Sequence, residues 1–391
     1  MEEKKGCREQ RQLSIYVHIP FCRQKCYYCD FLSARVQEQT KKDYLIKLKE
    51  EIRCAADKYQ DEIADTVFFG GGTPTLLQAE ELSDLLYLIK TSFHVTENAE
   101  ITIEANPGTI SREKLNHLRQ AGFNRLSIGL QSTNDRELKE LGRIHTYDEF
   151  VEGYHAARTA GFDNVNVDVM SALPGQTSDS YCDTLMKVLA LHPEHISAYS
   201  LIIEEGTLFW DRYGDNAKVL EKYPALPTEE EERKMYQMTD TILEKAGYHR
   251  YEISNYALKD KECKHNNGYW ERKNYIGLGL GASSLYENTR WKNTDTMEAY
   301  LTLATEQFVC DKTVLTKEEQ MEEFMFLGLR LTQGVSMEKF QTEFGRTIQE
   351  VYPGIVEKYI GNGLLNVQNE RILLSKKGID VSNLVMSEFL F

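Results

Sequence analysis

Three cysteines, Cys22, Cys26 and Cys29, fall within the eight residues CRQKCYYC. Thiolates at that spacing on one loop can converge on a single small inorganic body. Structural zinc wants four protein ligands in a closed tetrahedron, and the nearest further candidates, His18 and Asp30, would make an unusual set. A four-iron four-sulfur cluster is normally held by four cysteines. With three, one iron keeps an open position for a substrate or cofactor. The spacing admits a zinc site, three unrelated cysteines, which chance rarely puts within eight residues, or an open 4Fe–4S cluster.

Other polar residues that could do chemistry recur downstream. FFGGGTPT sets Gly70, Gly71, Gly72 and Thr73 side by side, so that a ligand can meet bare backbone. Glu104 ends ITIEA, Gln131 ends SIGLQS, Arg143 lies in LGRIH and Asp168 lies in VNVDVM. Each alone could cap a strand or satisfy a loop. Unpaired charge at a buried strand tip is costly, so such residues usually have partners.

The elements that must position these residues alternate. LSIYVHI, DTVFFGG, AEITIEA, RLSIGLQS, NVNVDVM and HISAYSLI read as six short buried strands. Amphipathic stretches separate them, such as KKDYLIKLKEEIRCAADKY, with Tyr44, Leu45, Leu48 and Ile52 at helical spacing. Alternating strands and helices imply a parallel sheet, and in such folds chemistry sits at the C-terminal ends of the strands. Glycine follows two helices, in RQAGF and RTAGF, where a left-handed cap is expected. Six βα units over residues 1–205 give an α/β fold, either a partial (β/α)6 TIM-like barrel or a doubly wound sheet, and the pattern alone favours neither. An extension over 206–299 carries the motif HNNGYW. It contains a helix with a capping box from Thr228 to Glu231 and then a loop from about 251 to 292. A small, mainly helical, winged-helix-like domain with a hairpin at LLNVQNERILLS is expected over 300–391.

Composition bounds the partners. The 391 residues carry a net charge of −15, which disfavours a nucleic-acid footprint and leaves at most peripheral membrane contact. No transmembrane stretch or secretory apolar run is apparent, so a cytoplasmic protein is expected. Only three of the eight cysteines cluster, which fits reduced thiols better than a disulfide scaffold.

CRQKCYYC, placed after the first strand, resembles the signature of the radical S-adenosylmethionine (SAM) enzymes. In that family the open iron binds the amino and carboxylate groups of SAM, and an electron from the cluster cleaves SAM to methionine and a 5′-deoxyadenosyl radical. The resemblance implies that Cys22, Cys26 and Cys29 hold the cluster and that Tyr28 lies near the adenine. It places Gly71, Gly72 and Thr73 at the amino group, and Arg143 at the carboxylate through a two-pronged contact. Glu104 and Asp168 then suit the ammonium or the ribose, and Gln131 the ribose.

YVHIPFC, GGGTPT, LPGQT, YEISNYA and HNNGYW are together similar to the oxygen-independent coproporphyrinogen III oxidase-like group, in which Tyr16 would also touch SAM. The oxidase proper has a further cysteine two positions after the third; here that position is Phe31. This form resembles the heme-chaperone branch, whose H-N-x-x-Y-W motif is implicated in heme binding. His265, Tyr269 and Trp270 match it. The implied cofactors are a 4Fe–4S cluster, SAM and heme. The implied partners are heme donors, respiratory heme proteins and, if SAM is cleaved, an electron donor such as flavodoxin or ferredoxin. Leu280, Ser283, Ser171 and Ala172 depart from residues common in the group, which puts the finer shape of the substrate or heme surface in doubt.

Overall fold

The computed structural model describes residues 11–215 and 223–391; Cys7 lies outside the described residues. The chain runs β1 (Gln12–Ile19), α1 (Glu38–Lys58), β2 (Ile63–Gly71), α2 (Ala79–Ser92), β3 (His94–Ala105), α3 (Arg112–Ala121) and β4 (Arg125–Gln131). It continues through α4 (Asp135–Glu140), α5 (Tyr147–Thr159), β5 (Val165–Ser171), α6 (Ser178–Leu189) and β6 (His195–Ser200). Strands β1 to β6 pair in parallel and in sequence order. That sequential winding is the barrel pattern, whereas a doubly wound sheet reverses its order at a switch point. The sheet stays open.

Local chemistry cuts several of the helices. Ser111, Thr146 and Thr177 cap α3, α5 and α6 through their side chains. Gly122 and Gly161, at φ 114° and 88°, turn the chain after α3 and α5, as the RQAGF and RTAGF pattern led one to expect. Helices then pack their apolar faces on the sheet through residues such as Leu48, Leu85, Leu118 and Leu185.

After β6 come α7 (Leu208–Tyr213), α8 (Glu229–Lys245), β7 (His249–Glu252), β8 (Asn255–Ala257), α9 (Lys264–Trp270), β9 (Tyr275–Leu278), β10 (Ser283–Tyr286), β11 (Thr289–Asn293), α10 (Met297–Thr302) and β12 (Val309–Val314). The loop expected over 251–292 is therefore mostly short elements. Positive φ at Glu287 and Asn288 makes the tight β10–β11 hairpin, a turn whose residue types read as loop in one dimension. Strands β7 to β12 extend the same sheet on both sides, giving twelve strands in the order β12-β11-β10-β9-β1-β2-β3-β4-β5-β6-β8-β7.

The capping box on α8 is half formed. Thr228 accepts from Glu231 N, but the Glu231 carboxylate accepts from Ser178 N at 2.7 Å instead. The helix is thereby tied to the start of α6.

Among the described residues there are two large hydrophobic cores, with a small third cluster of Leu141, Met170, Leu173, Leu201 and Phe209 beside the first. The first includes Tyr300 and Phe308, and β12 still pairs with β11, so the large sheet ends near 314 rather than 300. The second core gathers Met321 through Phe389 around α11 (Lys317–Gly328), β13 (Val335–Ser336), α12 (Met337–Phe344), α13 (Ile348–Val351), α14 (Ile355–Gly361) and the hairpin of β14 (Leu365–Gln368) and β15 (Arg371–Leu374). Among the described residues no helix is long and apolar enough to cross a membrane.

Candidate functional site

The cysteine loop leaves β1 at its C-terminal end and is pinned on several sides. Phe21 is fully buried and packs edge-on against Tyr44. Ala34 N donates to Pro20 O and Cys22 N to Ala34 O, which closes the loop at its base. Gly72 N donates to Ile19 O at 2.9 Å and Thr73 N to Phe21 O at 2.8 Å, so the glycine segment after β2 is laced to the loop. A Cβ on Gly72 would lie 2.7 Å from Phe21 O and 3.1 Å from Cys22 Sγ. The glycine is thus required by close approach to the loop.

Cys22, Cys26 and Cys29 all line one cavity of about 320 Å³. Tyr28, Gly71, Gly72, Thr73, Glu104, Gln131, Arg143 and Asp168 line it with them. The winding explains much of this convergence: Gly71, Glu104 and Gln131 sit at the C-terminal ends of β2, β3 and β4, while Asp168 lies midway along β5 and Arg143 follows α4. Gln131 adopts φ 74°, a left-handed conformation rare outside glycine, at the tip of β4. Tyr199 OH donates to its Oε1 at 3.0 Å.

The carboxylates here are poor anions. Burial, and then the neighbouring Asp168, push Glu104 up to about 8, although Gly71 N donates to it at 3.1 Å. Burial also raises Asp168, against hydrogen bonds from Asn166 and Ser197. Burial lifts the Cys29 thiol to about 11. Metal ligation requires the thiolate, so iron would displace that proton.

These features fit a cluster and a cationic cofactor. The three sulfurs share one cavity. Two half-buried carboxylates lining the same space suit a ligand with a positive sulfonium. Cys22, Cys26 and Cys29 would hold the cluster, and the surrounding strand tips would hold SAM. The bound cluster supplies one-electron chemistry at its open iron.

Arg143 is more committed than a two-pronged clamp on a carboxylate requires. Its Nη1 donates to Asn106 Oδ1 at 3.0 Å and lies 3.6 Å from Cys26 Sγ, and its Nη2 donates to Gly129 O. A carboxylate there would meet a guanidinium already anchored to the protein. Asn106 also donates to Thr73 Oγ1 at 2.8 Å, bridging two strand tips. Sequence reading passed over Asn106, Ser127, Met170 and Tyr199, which line the same cavity. Asn106, Met170 and Tyr199 lie at or near the C-terminal ends of β3, β5 and β6, while Ser127 lies near the start of β4.

The remaining predicted residues lie apart. Tyr16 lines a neighbouring cavity of about 450 Å³ with His18, Tyr269 and Tyr275. That cavity shares Phe31, Gly71 and Glu104 with the first. His265 lines neither. It is 1% exposed and stacked on Phe68 at 5.0 Å, with hydrogen bonds to Thr66 and Tyr269 on its two ring nitrogens, each 2.8 Å. Burial pushes its imidazole down to about 3. Helix α9 carries it into the space beneath Tyr16 and Phe68. Trp270 lies at the far end of α9, under the Arg330 guanidinium at 4.2 Å, in a groove against the C-terminal domain.

A buried hydrogen-bonded chain connects the two regions. Asn166 donates to Asp168, His195 Nδ1 meets Asn166 Oδ1 at 2.6 Å, and His195 Nε2 meets Tyr251 OH at 2.7 Å. Cys263 N donates to Tyr251 OH, while Cys263 Sγ, Lys264 N and His265 N all converge on Glu100. Glu100 thereby caps α9 in place of an N-cap side chain.

Comparison with known proteins agrees with this geometry. Residues 16–188 match the radical SAM superfamily and residues 315–381 match the HemN C-terminal domain. The heme chaperone HemW of Lactococcus lactis is 37% identical over 381 residues, covering 97% of this chain and 98% of that protein. HemW of Bacillus subtilis is also 37% identical, over 96% and 99%. Among solved structures, the radical SAM enzyme coproporphyrinogen III oxidase (HemN) of Escherichia coli matches with a TM-score of 0.85 and 25% identity, over 97% of this chain and 90% of that one. The superfamily implies a 4Fe–4S cluster and SAM. Identity at this level along nearly the whole of both chains shows that the chain belongs to the HemW heme chaperone family, within the radical SAM superfamily.

Proposed function

We propose that this protein binds a 4Fe–4S cluster through Cys22, Cys26 and Cys29, binds SAM in the adjoining cavity, and carries heme to respiratory heme proteins. Its setting would be the cytoplasm, with heme donors upstream and a small electron-transfer protein where SAM is cleaved. The observation that carries the chaperone reading is Phe31. It stands at the lip of the SAM cavity, 63% exposed, where the resemblance puts a cysteine in the oxidase. Tyr269 supports it, since it brings the HNNGYW helix to the second cavity. Heme contact by His265, Tyr269 and Trp270 belongs to the same proposal. Ligation by His265 requires that the imidazole give up Thr66 or Tyr269 and that α9 shift.

The test is anaerobic cluster reconstitution followed by heme titration. A Soret band is expected in the wild type and a changed or weakened band in His265→Ala. An unchanged spectrum in that variant would remove His265 from the heme site, and no band at all would sink the chaperone reading. The second reading, oxidative decarboxylation of coproporphyrinogen III, is favoured by the HemN match along almost the whole chain. Product formation from coproporphyrinogen III with reductant and SAM would establish it instead.

A further inference from the structure

Hydrogen bonds link two of the three clustered cysteines through side chains from three other segments. Cys22 Sγ lies 3.6 Å from Thr73 Oγ1, on the loop after β2. Asn106, just past β3, donates from Nδ2 to the same Oγ1 at 2.8 Å. Its Oδ1 accepts from Arg143 Nη1 at 3.0 Å, and that Nη1 lies 3.6 Å from Cys26 Sγ. The chain thus runs from Cys22 through Thr73, Asn106 and Arg143 to Cys26, and both of its ends lie on the cysteine loop.

Donor and acceptor types give this chain a direction. A guanidinium only donates, so it takes the carbonyl oxygen of the Asn106 side chain. The NH2 end of that amide is left to donate to Thr73. Thr73 Oγ1 is then an acceptor there, and its single proton is free for Cys22 Sγ. A thiolate bound to iron has no proton to give, so with a cluster in place both sulfurs only accept. The backbone holds Asn106 ready for this. Pro107 keeps it extended, at φ −101° and ψ 140°, and Thr109 donates to its carbonyl through N and Oγ1 at 2.9 and 2.7 Å.

We infer that Asn106 is a positioning residue: it aims the Thr73 hydroxyl and the Arg143 guanidinium at the Cys22 and Cys26 thiolates, and these two hydrogen bonds raise the reduction potential of the cluster. The reduced cluster carries one more negative charge than the oxidised one, so donors to its sulfurs stabilise it more. Without Asn106 the Thr73 hydroxyl is free to turn away and Arg143 loses one anchor. The inference rests on the assignment of the cluster to Cys22, Cys26 and Cys29.

The test is an EPR-monitored redox titration of the reconstituted cluster, without SAM so that contacts to SAM do not enter. Wild type is compared with Asn106→Leu, Thr73→Val and Thr73→Ser after iron and sulfide have been measured in each. Leu fills the place of Asn without its polar atoms, Val removes the Thr hydroxyl, and Ser keeps it. At a fixed potential the ratio of reduced to oxidised cluster is expected to fall about tenfold in Asn106→Leu and in Thr73→Val, the scale of one hydrogen bond to a charged group. For a one-electron couple that is a midpoint about 59 mV lower. Thr73→Ser should stay within about threefold of wild type. A wild-type midpoint in Asn106→Leu or in Thr73→Val overturns the inference, as does a fall in Thr73→Ser as large as in Thr73→Val. A wild type that takes up no iron and sulfide removes the cluster assignment and the inference with it, whereas a loaded cluster with unmoved midpoints overturns the inference alone. A crystal structure of the cluster-loaded wild type decides the point without any variant having to fold. Thr73 Oγ1 and Arg143 Nη1 are expected within hydrogen-bonding reach of their sulfurs, and either one out of reach overturns the proposal.

Discussion

Under the proposed SAM assignment, the protonation of Glu104 would tune binding. Its carboxyl is buried beside Asp168 and is pushed up to about 8, so near pH 7 it is mostly protonated in the ligand-free protein. A permanently positive sulfonium nearby favours the carboxylate. Binding then releases the proton, and SAM affinity should rise with pH up to about 8, by at most about tenfold per unit. Glu104→Gln should flatten that dependence and weaken binding about tenfold. Equilibrium dialysis of the cluster-loaded protein at pH 6.5 and 8 measures both. A variant with wild-type affinity and the same pH slope would show that Glu104 does not face the ligand. Glu104 was legible in the sequence because a charge closed an apolar strand. Asn106, two residues on, was not, since an Asn before Pro reads as an ordinary turn.

At the scale of elements, Glu51 ties α1 to the strands added after the barrel. Its carboxyl accepts from Gly279 N, Asn293 Nδ2 and Tyr300 OH, at 2.9, 2.6 and 2.6 Å, so it joins α1 to the end of β9, to β11 and to α10. Burial pushes it up to about 7, against those hydrogen bonds and the charge of Lys47. The folded state therefore holds a proton that the unfolded chain releases near the ordinary value of 4.5. Stability from this group is fully present below about 4.5 and is lost as pH rises through about 7. The slope should approach about 1 kcal/mol per pH unit inside that window. Glu51→Gln should reduce it, which urea midpoints at pH 5, 6 and 7 would reveal. No pattern announced this network, because a glutamate on an amphipathic helix reads as solvated surface.

Across the whole molecule, two cores are joined by a few buried charges. Glu323 on α11 receives Arg272 Nε at 3.1 Å and Arg290 Nη2 at 2.8 Å, with Arg272 also reaching Glu343. The Arg272 side chain is only 5% exposed. Beside it, Arg330 meets the fully buried Glu252 at 3.3 Å, and Thr332 N donates to Tyr251 O. Removing one member of a buried pair costs more than the pair contributes, because the other charge is left uncompensated. Arg272→Ala should destabilise the protein by about 2–3 kcal/mol, less than a fully broken pair because Arg290 remains. Chemical denaturation would register this as an earlier midpoint, and a change below about 0.5 kcal/mol would mean that the junction tolerates the loss. The same junction carries Tyr251 and Trp270, so it lies next to the helix that bears HNNGYW.

The sequence by itself pointed to the chemistry and to a parallel α/β sheet, while the strand order that makes it barrel-like came from the structure. Three cysteines on a loop after the first strand, glycines after the second and polar residues at later strand tips are local features, and parallel winding brings strand tips together wherever it occurs. The hydrophobic periods of strands and helices were equally local, as were the glycine stops at 122 and 161. Only the tertiary structure decided what depends on distant partners. Loop 251–292 became strands because an existing sheet edge offered hydrogen bonds. His265, exposed or buried alike in one dimension, went inside because α9 packs against β2 and Glu100 satisfies its N-terminus. The pairing of Arg143 with Asn106 likewise exists only after folding, since a side chain's free edges are known only when all its neighbours are in place.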